Sequence, residues 1–340
     1  MHLEFPSPDE IRAARTALDP YIVTTPIHVW SGPEIESAVP KARIILKLEL
    51  FQVTGTFKPR GALTVLLHQE RSVIERGVVT VSAGNHAIAT AYAARVLGSH
   101  ARIVMAKSAN ELRVQRTRAL GAEVEFADSI DDAFRRVHEI ERDEGRLFLH
   151  PFDGPLTALG TATAGLEFAA QAPDIDAMVL PIGGGGLSGG FAAALKALRP
   201  GVVIFGVEPV GADVMRRSFA AGEPVSMKPS KTIADSLAPP HTGPYAYALN
   251  RKFIDEIVTV TDEEIAAAMR LLFYGMKLAV EPAGGATTAA ILGPLSARLA
   301  GKTVGLVVCG ANISTRQFFD IVGTAPPPGA NATASSDSQA

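Results

Sequence analysis

The sequence predicts an α/β protein built on two open parallel sheets, the smaller inserted into the larger. From about Val78, short apolar runs alternate with amphipathic stretches, the signature of βαβ units. A second series of the same kind begins near Ala177. In each series a glycine-bearing turn directly follows an apolar run, at the carboxyl end of a parallel strand, where open α/β sheets bind ligands.

Taken in order, Pro8–Ala14 opens a helix with acidic residues in its first turn, Ile44–Leu46 is a short strand, and Ala62–Leu67 reads as a helix. The first series places strands at Val78–Val81, Ala101–Met105, Glu123–Phe126 and Leu147–Leu149. Helices fall between them at about His86–Leu97, Glu111–Leu120 and Asp131–Glu144. The second places strands at Ala177–Ile182, Val202–Val207 and Thr303–Val308, and a helix at Leu187–Leu198. A further helix opens at Thr261–Glu264 in capping-box form. Breaks near 66 and 149 make residues 67–149 a small domain inserted into a large one formed by 1–66 and 150–323. Residues 324–340, rich in Pro, Ala, Ser and Asn, lack the apolar bulk to order themselves.

With 47% apolar residues, a chain of 340 can bury substantial cores. The net charge of −3 comes without any basic run, which argues against nucleic acid as a partner. No apolar span is long enough for a bilayer and the N-terminus has no leader pattern, so a cytoplasmic location is expected. A single cysteine, Cys309, excludes an internal disulfide and fits a reducing compartment.

Several stretches carry chemistry. In Gly183–Gly184–Gly185–Gly186–Leu187, between a strand and an Ala-rich helix, the backbone can curl so that N–H groups converge at a helix N-terminus. A phosphate fits there, although a tight turn would read the same way. Ser82–Ala83–Gly84–Asn85–His86 opens another helix and could be an anion site or an ordinary cap. Lys58 lies at a strand-to-helix junction, where a lysine is either a solvated cation or a site residue. Cys309, at the end of the last strand, points into the same crevice or serves as a small buried hydrophobe.

Thr54–Gly55–Thr56–Phe57–Lys58–Pro59–Arg60–Gly61, with Lys47–Leu48–Glu49 upstream, resembles the cofactor-lysine segment of the serine/threonine dehydratase family of pyridoxal-phosphate enzymes, of the tryptophan-synthase-β type (fold type II). The resemblance runs from about Thr25 to Ser314. It implies that Lys58 carries pyridoxal 5'-phosphate as a Schiff base and acts as general base, with Phe57 beside it. It further implies that Gly183, Gly184, Gly185, Gly186 and Leu187 bind the cofactor phosphate. Asn85 would bond the 3′ oxygen, Glu281 would line the ring, and Cys309 would face the pyridine nitrogen. Ser82, Ala83, Gly84, Asn85 and His86 would receive the substrate carboxylate. Ile88 and Ala89 replace the usual Gln-Gly, and Ala311 replaces a commoner glycine.

The reaction so implied is loss of water from a β-hydroxy-α-amino acid such as L-threonine or L-serine, giving a 2-oxo acid and ammonia. Racemisation, β-replacement or action on 3-hydroxyaspartate are alternatives within the fold. A non-catalytic phosphoanion-binding module is the alternative outside it. Racemase members carry serine where Ala83 stands. Glu208 and Ala212 match positions that bind a divalent cation in those members, but Val214 stands where the third ligand, an aspartate, is expected, with Asp213 beside it; a divalent or monovalent cation stays open. A homodimer is expected.

Overall fold

The structure, a computed structural model, describes residues 4–107, 109–228 and 231–323. Among the described residues ten strands form two sheets: β1 (Ile27–Trp30), β2 (Arg43–Lys47), β3 (Val78–Val81), β4 (Ala101–Ala106), β5 (Glu123–Ala127), β6 (Leu147–Phe148), β7 (Ala177–Pro181), β8 (Val203–Pro209), β9 (Glu256–Val260) and β10 (Thr303–Val307). The larger sheet runs β1-β2-β10-β7-β8-β9 and the smaller β5-β4-β3-β6. In chain order the whole smaller sheet lies between β2 and β7. The expectation for the tail at 324–340 lies outside the described residues.

Central strands such as Val78–Val81 and Ala177–Pro181 are buried at every residue, because helices cover both faces of a parallel sheet. Their unbroken apolar runs follow from that. The expected all-parallel larger sheet needs one correction: β1 pairs antiparallel with β2, with Ile27 opposite Lys47. β1 lies at the sheet edge, where only one ladder constrains its direction. Helix starts obey local chemistry, and the Thr261–Glu264 capping box forms as expected, with Glu264 N–H donating to Thr261 Oγ1 at 3.2 Å.

One polar cluster sits among these cores. Arg60 is fully buried and its guanidinium spans two carboxylates, reaching Glu49 at 2.8 and 2.9 Å and Glu167 at 2.9 and 2.8 Å. Lys47, equally buried, donates to Glu167 at 2.7 Å and to the Thr25 carbonyl at 2.8 Å. Burial opposes charge on Arg60, yet the facing carboxylates hold its pKa above the usual arginine value. The cluster joins the end of β2 to the helix Pro59–Leu67 and to the helix Pro155–Gln171, fixing the turn that carries Lys58.

Removing Arg60 leaves Glu49 as an uncompensated buried charge, while Glu167 keeps Lys47 and Arg15. Arg60→Met should therefore cost about 3–5 kcal/mol of stability, read from the shift in the urea unfolding midpoint at unchanged slope.

Candidate active site

Between the two sheets a cleft is lined by residues far apart in sequence, among them Lys58, Asn85, Gly183–Gly186, Glu281 and Cys309. Lys58 stands at the N-cap of Pro59–Leu67. Its Nζ donates to the Pro151 carbonyl at 2.6 Å and lies 5.3 Å from the centroid of the Phe57 ring. Desolvation pulls its pKa down to about 8, against the opposing influence of Cys309 and Glu281, so the free amine near neutrality is a minor form, about a tenth, yet far more abundant than in an ordinary lysine. The bland reading of a solvated surface cation does not describe this lysine.

The glycine loop is built so that its carbonyls are occupied and its amides are not. Thr242 Oγ1 donates to Gly184 O at 3.0 Å, Asn250 Nδ2 to Gly185 O at 2.8 Å, and Thr161 Oγ1 to Gly186 O at 2.7 Å. No side chain caps the helix Gly186–Leu198 that follows. Among the described residues nothing accepts from the N–H groups of Gly183, Gly184 or Gly185. Orphaned amides at a helix N-terminus form a site for an anion. The loop is also closely wrapped: a Cβ at Gly184 would lie 2.2 Å from the Phe152 ring, and one at Gly186 2.4 Å from the Phe152 carbonyl.

The second turn behaves similarly. The helix Asn85–Val96 starts after Gly84 without any side-chain cap, so the capping role open to Ser82 and Asn85 is not taken. Ser82 Oγ instead accepts from Gly84 N–H at 3.2 Å, and the partly buried Ala83 packs on the smaller sheet's core. His86 is buried with Nε2 3.2 Å from the Leu149 carbonyl, and desolvation lowers its pKa to about 3, so it is neutral. Ile88 and Ala89 are buried in the same helix, filling the core where polar and glycine residues were expected.

Asn85 belongs to a network crossing the cleft. Its Nδ2 donates to Glu281 Oε1 at 2.6 Å and its Oδ1 accepts from Asn312 Nδ2 at 2.8 Å. Glu281 begins the helix Pro282–Leu292 but does not cap it; its other oxygen accepts from Asn312 N–H at 3.1 Å. Burial raises its pKa to about 7. Cys309 is buried, and burial pushes its thiol pKa well above the ordinary value, which keeps it uncharged. Leu187 lines the same cleft.

Lys58, the orphaned amides and a neutral thiol together fit pyridoxal phosphate: an amine for its aldehyde, a cradle for its phosphate, and an uncharged partner for its ring nitrogen. Glu208 is used differently from the metal reading. Its carboxylate accepts from the N–H groups of Met215 and Arg216, both at 2.8 Å, capping the helix Val214–Ala221. Asp213 pairs with Arg216 and Arg217. Among the described residues no group of three His, Cys, Asp or Glu stands together as a metal site.

Sequence reasoning missed Thr161, Thr242 and Asn250, which hold the loop's carbonyls, as well as Asn312 and the His150–Phe152 segment. Asn312 lies three residues after Cys309, close to a stretch the sequence does mark. The others carry no local signal, since each acts on a residue distant in sequence.

A family model described as Pyridoxal-phosphate dependent enzyme matches residues 18–310. Phenylserine dehydratase of Ralstonia pickettii is 49% identical over 313 residues, covering 92% of this chain and 95% of that protein. L-Threonine ammonia-lyase of Thermotoga maritima is 36% identical, covering 92% of this chain and 77% of that protein. Among solved structures, maize serine racemase superposes with a TM-score of 0.88 at 33% identity, covering 93% of this chain and 97% of that one.

If the loop amides hold the phosphate, Gly186→Ala forces a methyl into the Phe152 carbonyl and displaces the cradle. Titration of the apoprotein with pyridoxal phosphate, followed by absorbance, should show affinity weakened by about tenfold or more.

Proposed function

The chain belongs to the family of pyridoxal-phosphate-dependent enzymes, and we propose that it eliminates water from a β-hydroxy-α-amino acid, releasing a 2-oxo acid and ammonia. The serine and threonine types are the first candidates. The names of the 49% and 36% identical relatives, which both describe lyases acting on such amino acids, support this class and add phenylserine to the substrates to be tried.

Pyridoxal phosphate, when bound, supplies the electron sink that acidifies the hydrogen on the substrate's α-carbon. Lys58 Nζ takes that proton, a role suited to a lysine with pKa about 8 inside the cleft. The Gly183–Gly186 amides bind the phosphate, and the Gly84–His86 helix start receives the substrate carboxylate. Cys309, held as a neutral thiol, leaves the ring nitrogen without a charged partner, which favours prompt loss of a β-leaving group over a long-lived carbanion.

The observation that carries elimination over racemisation is Ala83. Racemisation needs a proton donor on each face of the α-carbon. A methyl group has no proton to give. A homodimer in the cytoplasm completes the proposal.

Lys58→Ala should abolish the protein-bound cofactor absorption band and lower turnover by at least about 10³-fold, measured as 2-oxo acid release from L-threonine, L-serine and phenylserine. Ala83→Ser should add D-serine formation from L-serine, resolved by chiral chromatography, with cofactor binding intact. Substantial D-serine from the unaltered protein would refute elimination as the main reaction.

A further inference from the structure

His150 follows β6 and the Ser82–His86 turn follows β3, its neighbour in the smaller sheet, with Val79 paired to Phe148. Both segments therefore emerge at the same carboxyl end. His150 and Lys58 line one narrow crevice, together with His86 and Phe152. The imidazole is held on one side only: Nδ1 accepts from Asp153 N–H at 2.9 Å and from Phe152 N–H at 3.3 Å. That fixes the tautomer, because a nitrogen accepting from backbone amides carries no hydrogen, and the proton must reside on Nε2.

Among the described residues nothing accepts from His150 Nε2. The ring cannot readily turn away, since it packs edge-on to Phe152 at 4.6 Å and to Phe148 at 5.9 Å between centroids. Desolvation also pulls its pKa down to about 4, despite nearby Asp153, so the ring is a neutral donor. Of the other polar groups around the crevice, His86 Nε2 meets the Leu149 carbonyl, Thr161 Oγ1 holds Gly186 O, and Lys58 has the α-proton to take; Thr157 lines it as well.

We propose that His150 holds the substrate's β-hydroxyl through a hydrogen bond donated by Nε2–H, and so selects amino acids that carry an oxygen at the β-carbon. The proposal rests on the elimination reading above. The α-carboxylate at the Ser82–His86 turn and the α-carbon at Lys58 leave the β-substituent beside the adjoining strand end, where this donor stands. A neutral imidazole is suited to orient a hydroxyl and to steady charge growing on the departing oxygen without giving up its own proton.

The test is His150→Asn in the holoenzyme, whose side-chain oxygen can still accept from Phe152 and Asp153 N–H while the Nε2–H donor is lost. Turnover of L-serine should fall by about tenfold or more, while elimination of chloride from β-chloro-L-alanine and binding of L-2-aminobutyrate change by less than about threefold. His150→Gln, which returns an N–H near the lost position, should recover part of the loss on serine alone. Cofactor affinity, titrated by absorbance, should match the unaltered protein. Equal losses on serine and β-chloroalanine, or a lost cofactor, would show a structural role and overturn the proposal. If the unaltered enzyme releases a 2-oxo acid from neither compound, the elimination reading itself falls, and this assignment with it.

Discussion

The salt-bridged cluster at Arg60 is the constraint on which the cleft's geometry depends. Two cations and two anions, all buried, can persist only if each finds its partner, so the ends of β2, the Lys58 turn and the helix Pro155–Gln171 must meet in one arrangement. A hydrophobic contact would tolerate sliding, whereas a guanidinium bound to two carboxylates fixes distance and direction together. Lys58, two residues before Arg60, inherits that fixed position. The Lys47–Leu48–Glu49 segment upstream of the motif has the same explanation, since Lys47 and Glu49 are both members of the cluster.

Within the cleft the side chains are largely kept uncharged. His86 and His150 are neutral by desolvation, the Cys309 thiol holds its proton, and Glu281 lies near half-titration. Charge is then left to the ligands and to the lysine that meets them. Such an interior makes each remaining electrostatic contact stronger, because little solvent or counter-charge competes with it. At the starts of the helices Asn85–Val96 and Gly186–Leu198, neither of which has a side-chain cap, the backbone amides rather than charged side chains are what the cleft presents.

Strands with unbroken apolar runs were legible from sequence, as Val78–Val81 and Ala177–Ile182 illustrate, because burial on both faces erases alternation and leaves only apolar residues. The helix Pro155–Gln171 was not. It packs on nearly all sides and is rich in Ala, Gly and Thr, so it shows no one-sided stripe. β1 and β9 are short edge strands with mixed burial and gave no period to read. At the site, residues within contiguous motifs could be identified, because local backbone shape demands glycine, asparagine or lysine there. Partners such as Asn85 and Glu281, 196 residues apart, meet only through the packing of two sheets. Thr242 and Asn250 act on carbonyls of a loop that precedes them by about sixty positions, a relation with no period to detect.

β10 is the last strand in the chain, yet it lies between β2 and β7 near the middle of the larger sheet, and it leads into Cys309. A nascent chain emerging from the ribosome can therefore complete the smaller sheet early, since its four strands end by Phe148. The larger sheet must wait with two unpaired ladder edges facing each other until residue 307 is free. Those exposed edges are templates for pairing with other chains. Assembly of the cleft is thus a late event in biosynthesis: the strand that closes the sheet also delivers Cys309 to the cleft wall, so a chain interrupted before β10 has an incomplete cleft and is prone to association.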